Sequence, residues 1–517
     1  MTTTKVDAVV VGSGAAGSLV AAKLAQAGKS VTILEAGPAR TVDDMVSSQL
    51  WARRLKWQAE PTTSSGADPL SVGFGSARGT GGSALHHYAC WFRLHREDFN
   101  TASRFGKGLD WPFTYDDLRP FYDQVQTEVG LSGDADAEIW RPEGEPYPMP
   151  PLPIFAQGEV VARGFEKLGL RTAPMPMAIN SVEYNGRPAC IQDGWCDAGC
   201  PIGALGNPLA VYLTQALQAG ATLINDAPVA RVLANPSGDR VTGVEYHDGQ
   251  GQLHTIEASV VVLAAYVFEI PRILLNSANG GLANRSGAVG RYMMAHSTCN
   301  AYGLFDEETE NYLGRTGGQL MCQDDYAKDP ARGYVGSFSW LIANALKPND
   351  LLGIANMRPE LFGPALETFL RDAARHLATM TFVGESLALP DNRVVLTGEK
   401  DHNGVPLATV SHSFGPDAIA CWQAGAAQGK AVMEAAGARE SWVSGRHQMH
   451  TMGGTVMGTD PATSVADGNG AAHDLPNLYF AGSSLFPSTG AVNPTFTISA
   501  LAAKSAAHML EAWRSFG

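Results

Sequence analysis

The chain has 517 residues, 45% apolar and 17% charged, which suits two or three domains with a large buried core and argues against wholesale disorder. The formal net charge of -14 would repel a polyanion, so nucleic acid is not an expected partner, while small neutral substrates are not excluded. The longest apolar run, around Val260 to Phe268, is far shorter than a membrane span. Val6 to Val11 reads as a buried parallel strand. A glycine turn, an alanine-rich helix over Ala15 to Ala27, a stop at Gly28 and a second strand over Val31 to Leu34 complete a β-α-β unit. Pro61 to Pro69 and Pro142 to Pro153 read as loops crossing between domains. Leu223 to Ala265 predicts short strands with turns at Ser237 to Asp239 and Asp248 to Gly251, followed by a helix over Glu269 to Ser277. Ser297 to Ser413 carries alternating strands, among them Thr379 to Val383 and Arg393 to Thr397, as in an antiparallel sheet with one exposed face. A helix over Pro416 to Ala436, a strand over Asn477 to Ala481 and a helix over Pro494 to Leu510 close the chain.

The start, Met1 to Lys5, has no positive stretch followed by a cleavable apolar segment. No export signal of its own is expected, which leaves two compartments: the cytoplasm, or the periplasm by export on a partner's signal. The seven cysteines are an odd number and argue against a disulfide scaffold.

Three motifs carry chemistry. In Gly12-Ser13-Gly14-Ala15-Ala16-Gly17 the first glycine permits a tight turn, the second lets backbone approach a pyrophosphate, and the third lets helix pack on strand. The helix start offers free N–H groups to phosphates. Glu35 ends the second strand, where an acid can bind ribose hydroxyls, so a dinucleotide is expected. The second motif is the glycine-rich run Arg78-Gly79-Thr80-Gly81-Gly82-Ser83-Ala84-Leu85-His86. The third is Cys190, Cys196 and Cys200, followed by Pro201-Ile202-Gly203-Ala204. Zinc would normally want a fourth ligand, and no His lies in that segment. Buried or disulfide-forming cysteines without a metal are the other possibility.

These residues resemble the glucose-methanol-choline (GMC) FAD oxidoreductases. The likeness runs through Glu35-Ala36-Gly37-Pro38, Arg78 to His86, Val289 to His296, His450 to Gly458, Asn477 to Ser484 and Gly490 to Thr495. Residues Asn300 to Glu440 match much less. The resemblance implies an α/β plus α+β architecture: a Rossmann-type FAD-binding domain, with a substrate domain built on a mainly antiparallel sheet. It divides the chain into an FAD domain of 1–110, 185–298 and 441–517, with a possible iron–sulfur segment at 190–204, and a substrate domain of 111–184 and 299–440. It places FAD contacts at Gly12, Gly14, Ala15, Ala16, Gly17, Glu35, Ala36, Arg78, Gly81, Gly82, Ser83, His86, Val229, Ala265, Gly482, Asn493, Pro494 and Thr495, and leaves open a covalent flavin bond from His86. The family's catalytic pair falls on His450 and Asn493. A neutral imidazole can take the hydroxyl proton, and an amide can align the alcohol for hydride loss to flavin N5. His447 is the nearest rival base.

Cys190, Cys196 and Cys200, with Gly186-Arg187-Pro188, Gly206-Asn207, Trp111-Pro112 and Pro146 to Pro150, narrow the likeness to bacterial sugar and polyol dehydrogenase catalytic subunits. That subgroup implies a 3Fe-4S cluster on the three cysteines, a sugar or polyol substrate, a small accompanying subunit and a cytochrome c electron acceptor. An oxygen-using oxidase with structural cysteines, or a non-catalytic electron-transfer subunit, are the other classes carried. One departure is Tyr266, where many relatives have a small residue or Asn; the expectation is bulk near the adenine side of the flavin.

Overall fold

The computed structural model describes residues 4–56, 62–71 and 76–516. Runs of Val and Leu without polar alternation, such as Val9 to Val11 and Val260 to Leu263, make strands buried on both faces. They form the first seven-stranded sheet. Its order is Thr222–Ile224, Val31–Leu34, Thr4–Val11, Leu253–Leu263, Val241–His247 and Val229–Ala234, with Leu478–Phe480 beside the second half of Leu253–Leu263. The strands at its centre are parallel, and the last three form an antiparallel meander. Helix Ala15–Gln26 packs on this sheet and on helix Thr495–Glu511.

The second sheet also has seven strands. Its order is Glu440–Val443, Met294–Leu304, Leu377–Gly384, Phe338–Ile342, Leu320–Cys322 and Ala173–Pro174, with His447–Met452 also on Met294–Leu304. Every pairing in it is antiparallel. One face was expected to be exposed; instead Phe338–Ile342 is buried throughout, and Met294–Leu304 and Leu377–Gly384 almost throughout. Helix Pro416–Ala436 covers one side so closely that a Cβ on Gly425 would lie 2.0 Å from the Phe382 ring. On the other side Ser339 donates to Ala491 O at 2.5 Å.

Other expectations change as well. Thr62–Ser65, read as loop, is a strand parallel to Pro406–Ser411 in a third, three-stranded sheet; Pro61 lies outside the described residues. Strands Glu440–Val443 and His447–Met452 join the antiparallel sheet, although the sequence division gave 441–517 to the FAD domain. Helix Tyr115–Val129, in a segment given to the substrate domain, packs on Thr495–Glu511, with Tyr122 Oη 2.6 Å from Thr497 Oγ1. Periodicity identifies a strand or helix but not the partner it pairs with. No described helix is long and apolar enough to cross a membrane.

Candidate active site and cofactor cradle

The first glycine motif is a contact device. Gly12 has φ +102, and a Cβ there would lie 2.6 Å from Ala264 O, which brings the turn against the residue preceding Ala265. A Cβ on Gly17 would lie 2.0 Å from Gly12 O, so the helix reaches the turn only with glycine there. Around Gly14 there is open space within 4 Å of a Cβ. The carboxylate of Glu35 ties the two glycine-rich stretches together. One oxygen accepts from Ser13 N at 3.1 Å and Ser13 Oγ at 2.7 Å, the other from Gly37 N at 3.1 Å and Gly79 N at 3.0 Å. Gly81 N donates to Ser13 Oγ at 3.0 Å, and Ser83 Oγ accepts from Ala77 N at 3.0 Å. Ala36 sits between Glu35 and Gly37, whose carbonyls accept from Ala227 N and Asp226 N at 2.8 and 2.9 Å; this brings Val229 close. Arg78 packs beside Gly37.

A small pocket lies where the N-termini of helices Ala15–Gln26 and Thr495–Glu511 meet; Ala15, Ser18, His87, Trp91, Thr495 and Ser499 are among its lining residues. Two helix N-termini on one cavity suit phosphate. His87 Nδ1 bonds Ala84 O at 2.8 Å, and its buried Nε2 has no partner. The neighbouring His86 is buried too, with Nε2 unpartnered, and is held near a pKa of about 3 by burial and by Lys56. The sequence pointed to His86; His87, which it did not single out, lines the cavity. Nearby, Arg40 Nη1 is another buried polar atom without a partner. This open cradle, with its unpartnered buried donors and acceptors, fits a large polar cofactor such as FAD.

His450 and Asn493 come together across 43 positions: Asn493 Nδ2 lies 3.2 Å from His450 Nε2. Strand His447–Met452 pairs Met449 with His296 and Met452 with Met294, so one residue bulges out. His450 is in that bulge, with φ +57. Bulges beside active sites re-aim side chains, and a non-glycine in this region is strained. Burial, then His296, pushes the His450 pKa well below the ordinary histidine value, so the ring is neutral near pH 7. Asn493 Oδ1 is buried without a partner. Pro494 precedes the helix that starts at Thr495, and Gly482 (φ +126) leads into Ser483, whose Oγ donates to Thr451 O at 2.9 Å. Among the described residues the His447 ring bonds its local Gly445 O at 3.3 Å and makes no hydrogen bond to Asn493.

Sequence reasoning missed His296 as a site residue. Its Nδ1 lies 3.0 Å from His450 Nδ1, a contact set by strand register that leaves no local signal. The Tyr266 hydroxyl lies 3.0 Å from Thr451 Oγ1, the residue next to His450 in the chain.

Cys190, Cys196 and Cys200 line one small pocket with Ile191, Trp195 and Ile202, and all three are unpaired thiols. Gln192 N and Leu205 N each donate to a cysteine sulfur at 3.4 Å. Among the described residues, however, no three His, Cys, Asp or Glu side chains converge closely enough to hold a metal ion. Beside the thiols lies Arg315, buried, bonded to Pro153 O and Gln192 Oε1, with Nε unpartnered. Burial lowers its pKa to about 10 against the raising effect of Cys196, Cys190 and Cys90.

Comparison with known proteins agrees with this geometry. GMC oxidoreductase family models match residues 6–298 and 369–502. The fructose dehydrogenase large subunit of Gluconobacter japonicus is 29% identical, over 98% of this chain and 97% of that protein. The 2-methyl-1,2-propanediol dehydrogenase of Mycolicibacterium austroafricanum is 31% identical, over 96% of this chain and 94% of that protein. Among solved structures, a formate oxidase of Aspergillus oryzae superposes with a TM-score of 0.67 at 16% identity, covering all of both chains. A pyridoxine 4-oxidase gives 0.66 at 17% identity, over 98% of this chain and 99% of that one. With a glycine turn tied to Glu35 and a part-buried imidazole–amide pair, this chain belongs to the GMC oxidoreductase family and is an FAD-dependent dehydrogenase acting on CH–OH groups.

Proposed function

We propose that the chain oxidises a hydroxyl of a sugar or polyol, with His450 as the base. The observation that carries this is the part-buried contact between His450 Nε2 and Asn493 Nδ2. The substrate hydroxyl would take a position at Nε2, which accepts its proton, while Asn493 Nδ2 donates to the alcohol oxygen and aligns the carbon. Gly12, Gly14 and Gly17 with Glu35 would hold the dinucleotide, and the helix starts at Ala15 and Thr495 its phosphates. Bound FAD supplies the hydride acceptor, its N5 atom. The sugar class is supported by relatives such as the fructose dehydrogenase subunit and the gluconate 2-dehydrogenase flavoprotein of Pantoea cypripedii. A panel of sugars and polyols with an artificial dye acceptor tests it. Bleaching of the flavin bands under anaerobic conditions by a panel member is expected; a colourless protein, or one reduced by none of them, sinks the reading.

The cysteine cavity is proposed to hold a 3Fe-4S cluster on Cys190, Cys196 and Cys200. The three thiols do not converge closely enough to hold a metal ion, but backbone N–H groups point at sulfur and a buried arginine has no carboxylate within ion-pair distance among the described residues, which suits an anionic thiolate cluster. Such a group would supply a one-electron carrier toward a cytochrome c acceptor, with a small accompanying subunit. A second reading, an oxidase without a cluster, is favoured by the lack of three converging ligands among the described residues. Iron and acid-labile sulfide in anaerobically purified protein decide between the two; peroxide release with no iron supports the oxidase.

A further inference from the structure

His296 Nε2 lies 3.0 Å from Gly490 O and 3.3 Å from Thr489 O. A carbonyl oxygen can only accept, so Nε2 carries a proton. Burial lowers the His296 pKa to about 4, so near pH 7 the ring is neutral and its Nδ1 offers only a lone pair. Across the 3.0 Å contact sits His450 Nδ1, which must therefore be the donor. Neutral His450 then has a bare Nε2, and Asn493 must turn its amide N–H toward that atom, as the 3.2 Å contact has it. We propose that His296 is a positioning residue that fixes His450 in the Nδ1-protonated tautomer, so that the Nε2 lone pair meets the substrate hydroxyl. This rests on His450 being the base.

The same geometry separates this role from a proton relay. Beyond His296 lie two carbonyls, which cannot take up a proton, so the chain of groups ends there. The carbonyls themselves are held in place. Ala491 N donates to Tyr326 Oη at 3.0 Å, and Tyr326 Oη donates to Asp98 at 2.8 Å. Asp98 lies 3.2 Å from Lys328, which also pairs with Glu385, and all three charged side chains are fully buried. The loop that orients His296 is thus anchored from beneath by groups that never touch substrate. A merely structural histidine would fill space equally well as leucine; a tautomer-fixing one must supply an acceptor at the Nδ1 position.

The test uses holoenzyme labelled with ¹⁵N-histidine, the His450 signals being identified by their loss in His450→Asn. In wild type His450 Nε2 should show an unprotonated shift and Nδ1 a protonated one. His296→Asn, whose Oδ1 replaces the acceptor, should keep that pattern, and His296→Leu should turn it into a tautomer mixture. With the best donor among D-fructose, D-gluconate and 1,2-propanediol, His296→Leu should lower kcat by at least about tenfold, with KM within about threefold, and His296→Asn should restore most of it. A protonated Nε2 in wild type, or an unchanged pattern and kcat in His296→Leu, overturns the proposal. If His296→Leu fails to fold, the wild-type and His296→Asn spectra decide alone. Near-normal turnover in His450→Asn would instead sink the base assignment itself.

Discussion

The His450 site and the cysteine cavity are built in opposite ways. At His450 the chain closes its own network: Asn493, His450, His296 and the Gly490 carbonyl are joined at 3.0 to 3.2 Å. At Cys190, Cys196 and Cys200 the thiols stay unpaired, and Arg315 is buried beside them without a carboxylate partner among the described residues. A proton-transfer site gains from groups fixed before substrate arrives. The site proposed for a metal cluster cannot be completed by the chain, because the bridging ions would come from outside.

The largest break in this contrast comes from His450→Asn. Asn tolerates the left-handed backbone that His450 adopts, so the bulge survives while the proposed base is lost. Anaerobic flavin reduction should fall by about 10²- to 10⁴-fold, with FAD content unchanged.

Cys196→Ser tests the other region. Flavin reduction should stay near wild type while reduction of cytochrome c falls at least about tenfold, and iron content should drop. Wild-type cytochrome reduction in this variant would remove the cluster from the scheme.

Acid should weaken the folded state on the histidine side. Burial lowers His86 to about 3 and His87, His95 and His296 to about 4. Each binds a proton in the unfolded chain at higher pH than in the folded one. Stability is therefore complete above about pH 6.5 and declines as pH falls from there toward about 4. Tm should fall steadily across that window; a flat Tm would place these rings in contact with solvent. Because His450 is also lowered, the rate of flavin reduction should show no loss near pH 6.5 on the acid side.

Tyr266→Phe should have the smallest effect. It removes one hydroxyl from Thr451, worth about 1 kcal/mol, or roughly fivefold in kcat/KM at most. A larger loss would show that Tyr266 itself meets substrate.

Local interactions were legible in the sequence. The β-α-β unit and Glu35 could be read because Gly12 and Gly17 answer to contacts within six residues or to the adjoining strand. Helices Glu269–Ser277 and Pro416–Ala436 were marked by their own periodicity and ends. The pair His450 and Asn493 was proposed through resemblance, since nothing local distinguishes His450 from His447; the structure brings the two side chains together. The tertiary structure alone decided which strand lies beside which. Pairing of His447–Met452 with Met294–Leu304 brings His296 to His450 from 154 positions away, and a bulge turns His450 inward. Pairing of Thr62–Ser65 with Pro406–Ser411 made a strand where proline and small polar residues suggested a loop. The two covered faces of the antiparallel sheet are of the same kind, because burial depends on which helix and loop arrive from elsewhere. Side-chain alternation reports one strand's own faces; register and coverage are set by partners distant in the chain, and no local pattern encodes them.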